Sequence, residues 1–229
     1  MVRPLLFIHW KQARLVLLPF MLASFGLPLL AVQGLGTPPG APATGMDAYR
    51  LMAAYPLWTP FFPALAVGIG LVLALTAWNW DHRLEHVYAL SLPLPRWRYA
   101  LLKMGSGAVL STLPALAFWA GAHAAAASIR LPATLHAYPN ELTLRFLAAI
   151  LLTYAGFFAA AAGTVRTTLW IVSGLVAFVV LGNVLSPLLV GAGFDVFERV
   201  SVVEMAFRTL VHLPGPFEIF TGNWLLIDV

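Results

Sequence analysis

Residues 59–78, TPFFPALAVGIGLVLALTAW, run without a single charge, and residues 79–103, NWDHRLEHVYALSLPLPRWRYALLK, follow at once as the most polar long stretch of the chain. The hydrocarbon core of a bilayer is about 30 Å thick and takes about 20 apolar helical residues to cross. The junction at Trp78 therefore reads as a membrane span ending and a polar segment beginning. Working outward, four more apolar runs of comparable length occur at 15–32, 103–128, 144–162 and 169–190, each bounded by Pro, Gly or charge.

Composition agrees with these runs. Of 229 residues, 61% are hydrophobic and 10% charged, too little polar material to cover a water-soluble globule of this length. Backbone groups in lipid must be satisfied within the segment or within a closed barrel, and no alternating barrel pattern is present. The expected fold class is thus an all-α integral membrane protein, a single transmembrane domain over 1–229 built as a bundle of five to six transmembrane helices.

Two flanking segments read differently. RPLLFIHWKQAR, with Leu5, Leu6, Phe7 and Trp10 beside Arg3, Lys11 and Arg14, suits an N-terminal interfacial helix over 1–14. Near the C-terminus, Phe197, Val200, Val203 and Phe207 lie at helical spacing, while Pro214, Gly215, Pro216 and Glu218 argue against a span. Residues 194–222 are expected to form an outer-surface helical segment, followed by an apolar stub at 223–229. The N-terminus lacks a cleavage site and is expected to be retained.

Basic residues orient the spans. With a cytoplasmic N-terminus, Arg3, Lys11, Arg14, Arg83, Arg96, Arg98, Lys103 and Arg166 fall inside, against Arg50, Arg130, Arg145, Arg199 and Arg208 outside, and all acids except Asp81 and Glu85 also fall outside. Residues 79–102 then form a cytoplasmic loop, and 33–58 and 129–142 face outward.

Several chemistries are excluded or weak. The absence of cysteine removes disulfides and thiolate chemistry. The formal charge of +4 is spread without a dense basic face, so no nucleic acid is expected as partner. No G-x-x-x-x-G-K-[ST] phosphate loop occurs. His82, Glu85 and His86 match H-x-x-E-H and share one helical face, but a catalytic zinc needs a third protein ligand. Ser106, between Gly105 and Gly107, has as its nearest histidine in sequence His123, roughly 25 Å along one helix, so these small residues read as a packing patch. Ionisable groups at mid-membrane depth are nearly lacking, with His123 as the one candidate and Asn183 as a lone polar group.

The segment EHVYALSLPLPRWRYALLK, lying between the second and third spans, resembles the permease (membrane) subunits of type-2 ABC exporters. The matching residues are Glu85, Leu90, Leu92, Pro93, Leu94, Pro95, Arg96, Tyr99 and Lys103, and by topology the resemblance covers about 190 residues of the chain. It implies a permease that moves a hydrophobic or amphipathic substrate through the bacterial inner membrane, paired with a second permease copy and driven by a separate cytoplasmic ABC ATPase. No cofactor is then expected in this chain and no catalysis by it; ATP and Mg belong to the partner. By the same resemblance residues 82–92 form a coupling helix, with Leu84, Val87 and Tyr88 as its docking ridge. His82, Arg83 and Glu85 would be rim contacts, Pro93 and Pro95 would end the helix and turn the chain into the membrane, and Leu92 and Arg96 belong to the same docking set. The family has six spans; here the sixth is either missing or formed by the last 20 residues.

Two other functions are compatible with the same residues. One is an intramembrane metal-dependent hydrolase using His82, Glu85 and His86. The other is a non-transporting membrane scaffold that recruits a partner through this loop.

Overall fold

The computed structural model describes residues 2–32, 58, 60–83, 95–129, 135–163, 166–167, 169–174, 176–177, 180–181, 216–220 and 224–228. It is mostly helical, and four of its helices are long and apolar enough to cross a membrane. These are α1 (Val2–Val32), α2 (Phe61–Arg83), α3 (Arg96–Ser128) and α4 (Pro139–Ala161). The chain is a multi-pass membrane protein. Contacts group it into two units, residues 1–158 with 222–229, and residues 159–221.

In the first unit, side-chain neighbours set the helix directions. His9 meets Ser106 and Phe25 lies against Gly121, so α1 and α3 run parallel. Phe20 lies against Gly68 while His9 approaches Thr76, so α2 runs opposite to α1. Phe118 stacks on Phe146 and Gly107 touches Tyr154, so α4 runs opposite to α3. The result is an up-down-up-down bundle. Its two ends differ: one gathers Lys11, Arg14, Arg83, Arg96, Arg98 and Lys103, and is called the basic end below.

Each helix turns a stripe of small and apolar residues inward. On α1 the buried residues His9, Ala13, Leu17, Ser24, Pro28 and Ala31 recur at three-, four- and seven-residue steps, the spacing of one helical face. The outward face is just as apolar, with Leu15 73% and Leu22 73% exposed, as expected where the surrounding solvent is lipid. Where side chains are small the backbones approach closely. A Cβ at Gly121 would overlap the Phe25 backbone, and one at Gly107 would overlap the Tyr154 phenol. At the end opposite the basic one, Phe118 meets Phe62 edge-on with centroids 5.7 Å apart and Phe146 face-on at 4.1 Å, joining α2, α3 and α4.

The helix limits differ from the sequence reading. Where an interfacial helix over 1–14 and a span from 15 were expected, a single unbroken α1 covers both; nothing between Arg14 and Leu15 breaks a helix. Its internal prolines, Pro19 and Pro28, cost one backbone bond each, which helices within bundles tolerate. The expected loop over 79–102 is shortened from both sides, because α2 continues to Arg83 and α3 begins at Arg96.

Residues 224–228 belong to the first unit. Ile227 and Asp228 pair antiparallel with Ala137 and His136, and the Tyr138 amide donates to the Leu226 carbonyl at 2.8 Å. Trp224, Leu226 and Ile227 are buried. The short apolar ending is therefore a docked ribbon in contact with the bundle.

In the second unit the described residues between 166 and 181 are helical, and those from 169 on lie within the expected fifth span. Pro216–Phe220 forms a 3-10 turn; the rest of the expected outer-surface segment over 194–222 lies outside the described residues, apart from this turn.

Candidate functional site

The basic end of the bundle holds a buried polar network that begins in the last turn of α2. Asp81 is fully buried, three residues after Trp78 and so on its face of the helix. On α3, Tyr99 and Lys103 are separated by four residues and share a face in the same way. The two faces meet: the Tyr99 hydroxyl lies 3.0 and 3.1 Å from the two Asp81 oxygens, and Lys103 Nζ donates to Asp81 Oδ2 and forms an ion pair with it. The Lys103 ammonium also sits 4.4 Å from the centroid of the Trp78 ring, which is held in turn by a 3.1 Å bond from Trp78 Nε1 to the Phe158 carbonyl.

α1 contributes His9. Its Nδ1 is 3.0 Å from Ser106 Oγ, and the Ser106 hydroxyl donates to the Lys103 carbonyl at 2.7 Å. Thr76 Oγ1 lies 3.4 Å from Nε2 while donating to the Val72 carbonyl at 2.9 Å. Tyr154 of α4 completes the set, its hydroxyl 3.4 Å from the Lys103 carbonyl. All four helices are thus tied together around Lys103.

A cavity of about 540 Å³ opens beside this network. Lys11, Gln12, Asn79 and Arg83 line it together with Asp81 and Lys103. Lys11 and Arg83 are exposed, and neither has a carboxylate partner among the described residues.

The sequence-derived docking residues are reached only in part. His82 is half-buried in the last turn of α2, Arg83 is exposed at its end, and Arg96 is exposed at the first position of α3. The structure brings these three to the same end of the bundle. Leu84, Glu85, Val87, Tyr88, Leu92 and Pro93 lie outside the described residues, as does His86. Among the described residues no group of three or more His, Asp or Glu could hold a metal ion.

The network itself escaped the sequence reading, which placed Asp81 in a solvated loop and paired Ser106 only with His123. His123 instead shares the Asn140 carboxamide oxygen with Trp119, at 3.1 and 3.0 Å, at the far end of α3. The signal that was present is a lone carboxylate at the close of one span followed by a lysine inside the next. The His9–Ser106 contact has no such signal, being set by the packing of helices 97 residues apart in sequence.

Chemically, the arrangement is suited to structure more than to catalysis. A serine nucleophile needs its hydroxyl proton directed at a base and oxyanion donors nearby. Here the hydroxyl back-bonds to its own helix, and the surrounding amides are engaged in helical bonds. The buried ion pair, by contrast, fixes the spacing of α2 and α3 at the point where residues 84–94 connect them. No protein-family model matches the sequence, and no curated protein or solved structure shows significant similarity to it, so function has to be read from the geometry of the bundle.

Proposed function

We propose that the chain is the membrane-spanning permease subunit of an ATP-binding cassette exporter, working with a second permease copy and a separate cytoplasmic ATPase that binds ATP and Mg. In this reading the N-terminus and the basic end are cytoplasmic, in a bacterial inner membrane. The fifth span, the interfacial character of the first helical turns and the outer-surface helix belong to the same proposal; the last 20 residues supply no sixth span, since Pro216–Phe220 is a 3-10 turn and Ile227 and Asp228 pair with Ala137 and His136. The cargo is hydrophobic or amphipathic, since the helices offer mainly aromatic and aliphatic surface.

The observation that supports this reading is the clamp at the base of residues 84–94. Asp81, Tyr99 and Lys103 join the two helices that border this segment. A partner gripping Leu84, Val87 and Tyr88, with His82, Arg83, Glu85, Leu92, Pro93 and Arg96 around them, would then move α2 and α3 as one lever. Without such a clamp, the same pull would fray two helix ends. Helix-in-groove docking needs apolar residues at the i, i+3 and i+4 positions that Leu84, Val87 and Tyr88 occupy.

The test is co-purification of the chain expressed together with its neighbouring genes, asking whether an ATPase comes with it, and comparing wild type with L84D/Y88D at equal membrane yield. The expected result is an ATPase that accompanies wild type and is lost from the double variant. An ATPase retained equally by both, or none with either, overturns the proposal. Stoichiometric zinc abolished by H86A would favour the hydrolase reading using His82, Glu85 and His86. A bound partner without ATP-dependent movement of any substrate would favour the scaffold.

A further inference from the structure

We propose that the cavity at the basic end of the bundle binds the phosphate of an anionic phospholipid headgroup. The inference is independent of any ATPase partner. It rests on the size, charge and position of the cavity.

The volume of about 540 Å³ lies within the range of small-molecule sites. Charge selects the class of ligand. Both Asp81 oxygens are already taken by Tyr99 and Lys103, so this carboxylate and this ammonium cancel. Lys11 and Arg83 remain on the cavity wall with no carboxylate partner among the described residues. The guanidinium of Arg83 presents a planar fork of donors that matches phosphate oxygens, and the carboxamides of Gln12 and Asn79 add further donors. A cationic or neutral ligand would bring no negative charge to Lys11 and Arg83. A phosphodiester brings one negative charge and only acceptor oxygens at its centre, which suits this wall.

Position selects the source. Ile8 lines the cavity and is 40% exposed, next to Phe7 at 66%, so the opening adjoins an apolar surface of α1 that lipid covers. At the start of α3, Trp97 is 59% exposed with the Arg98 guanidinium 5.1 Å from its ring centroid. Exposed Trp beside Arg is the residue pair found at headgroup level. The cavity thus opens where lipid phosphates lie, and basic pockets between spans at that level suit anionic headgroups.

The test uses the full chain, delipidated in neutral detergent, with phosphatidylglycerol, phosphatidylcholine or inorganic phosphate added and bound ligand read by native mass spectrometry. K11Q/R83Q removes the two exposed charges that line the cavity; R14Q/R98Q removes two exposed charges at the same end that do not line it. Melting temperatures of both double variants check that the bundle is intact. The expected result is retention of phosphatidylglycerol over phosphatidylcholine, weakened roughly thirty-fold in K11Q/R83Q and less than about threefold in R14Q/R98Q. Three results overturn the proposal. They are equal binding of the two lipids, equal loss in the two double variants, which marks diffuse surface attraction, and displacement of the lipid by millimolar inorganic phosphate, which marks a soluble anion as the ligand.

Discussion

Lys103 of α3 and Asp81 of α2 form an ion pair buried between helices, and the Tyr99 hydroxyl donates to the same carboxylate. Taking two charges out of water is costly, and breaking such a pair by removing one partner typically costs about 3–5 kcal/mol because the other charge is stranded. D81N should therefore lower the melting temperature of the purified protein markedly, and K103M should do the same. D81N/K103M should recover most of the loss, since neither charge then remains. Equal stability of the single variants and wild type would mean the pair is not formed.

Close approach of α1 and α3 depends on one glycine. The Cβ of an alanine at Gly121 would meet the backbone of Phe25, which cannot rotate away, whereas at Gly105 it would meet nothing within 4 Å. G121A should destabilise by about 1–3 kcal/mol through overpacking. G105A should be neutral, or gain up to about 1 kcal/mol from helix propensity. Thermal unfolding in one detergent distinguishes the two, and similar melting temperatures would contradict the packing described.

The C-terminal ribbon is anchored by Trp224, 1% exposed, whose ring lies 4.7 Å from the Arg145 guanidinium. W224A should release residues 224–228, with a stability loss of about 3–5 kcal/mol typical of a buried tryptophan. Hydrogen exchange at the Tyr138 amide reads the release directly, because that amide donates to the Leu226 carbonyl. Unchanged protection in W224A would show that the strand pairing holds without its anchor.

Ser106 and His9 lie in hydrogen-bond contact, a pairing that in other settings activates a nucleophile. Since the Ser106 hydroxyl is committed to the Lys103 carbonyl, a fluorophosphonate probe should leave Ser106 unlabelled. S106A should cost about 1–3 kcal/mol by leaving a buried imidazole nitrogen without its partner. Stoichiometric labelling of Ser106 would require a catalytic role for the dyad.

The membrane-spanning character was legible in residues such as those of 59–78, because twenty uncharged residues have few stable places other than lipid. Helix ends were less legible. Asn79, Trp80, Asp81 and His82 are polar or amphipathic enough to read as loop, yet α2 carries them because Asp81 finds Lys103 and Tyr99. Residues 1–14 look amphipathic by pattern, yet His9 turns inward from a helix continuous to Val32 because Ser106 is there to receive it. Of the proposed docking residues, His82, Arg83 and Arg96 are seen at the basic end.

By itself the sequence determined that the protein is helical and lives in lipid, and that its positive charges bias one end, because hydropathy and charge act locally on each segment. Tertiary structure alone decided which polar groups become a site. Asp81 and Lys103 are 22 positions apart, and His9 and Ser106 are 97 apart. Buried polar atoms in a membrane bundle must find partners on whichever helix packs beside them. That choice is made by small residues such as Gly107 and Gly121, which let the helices approach closely enough for the partners to meet.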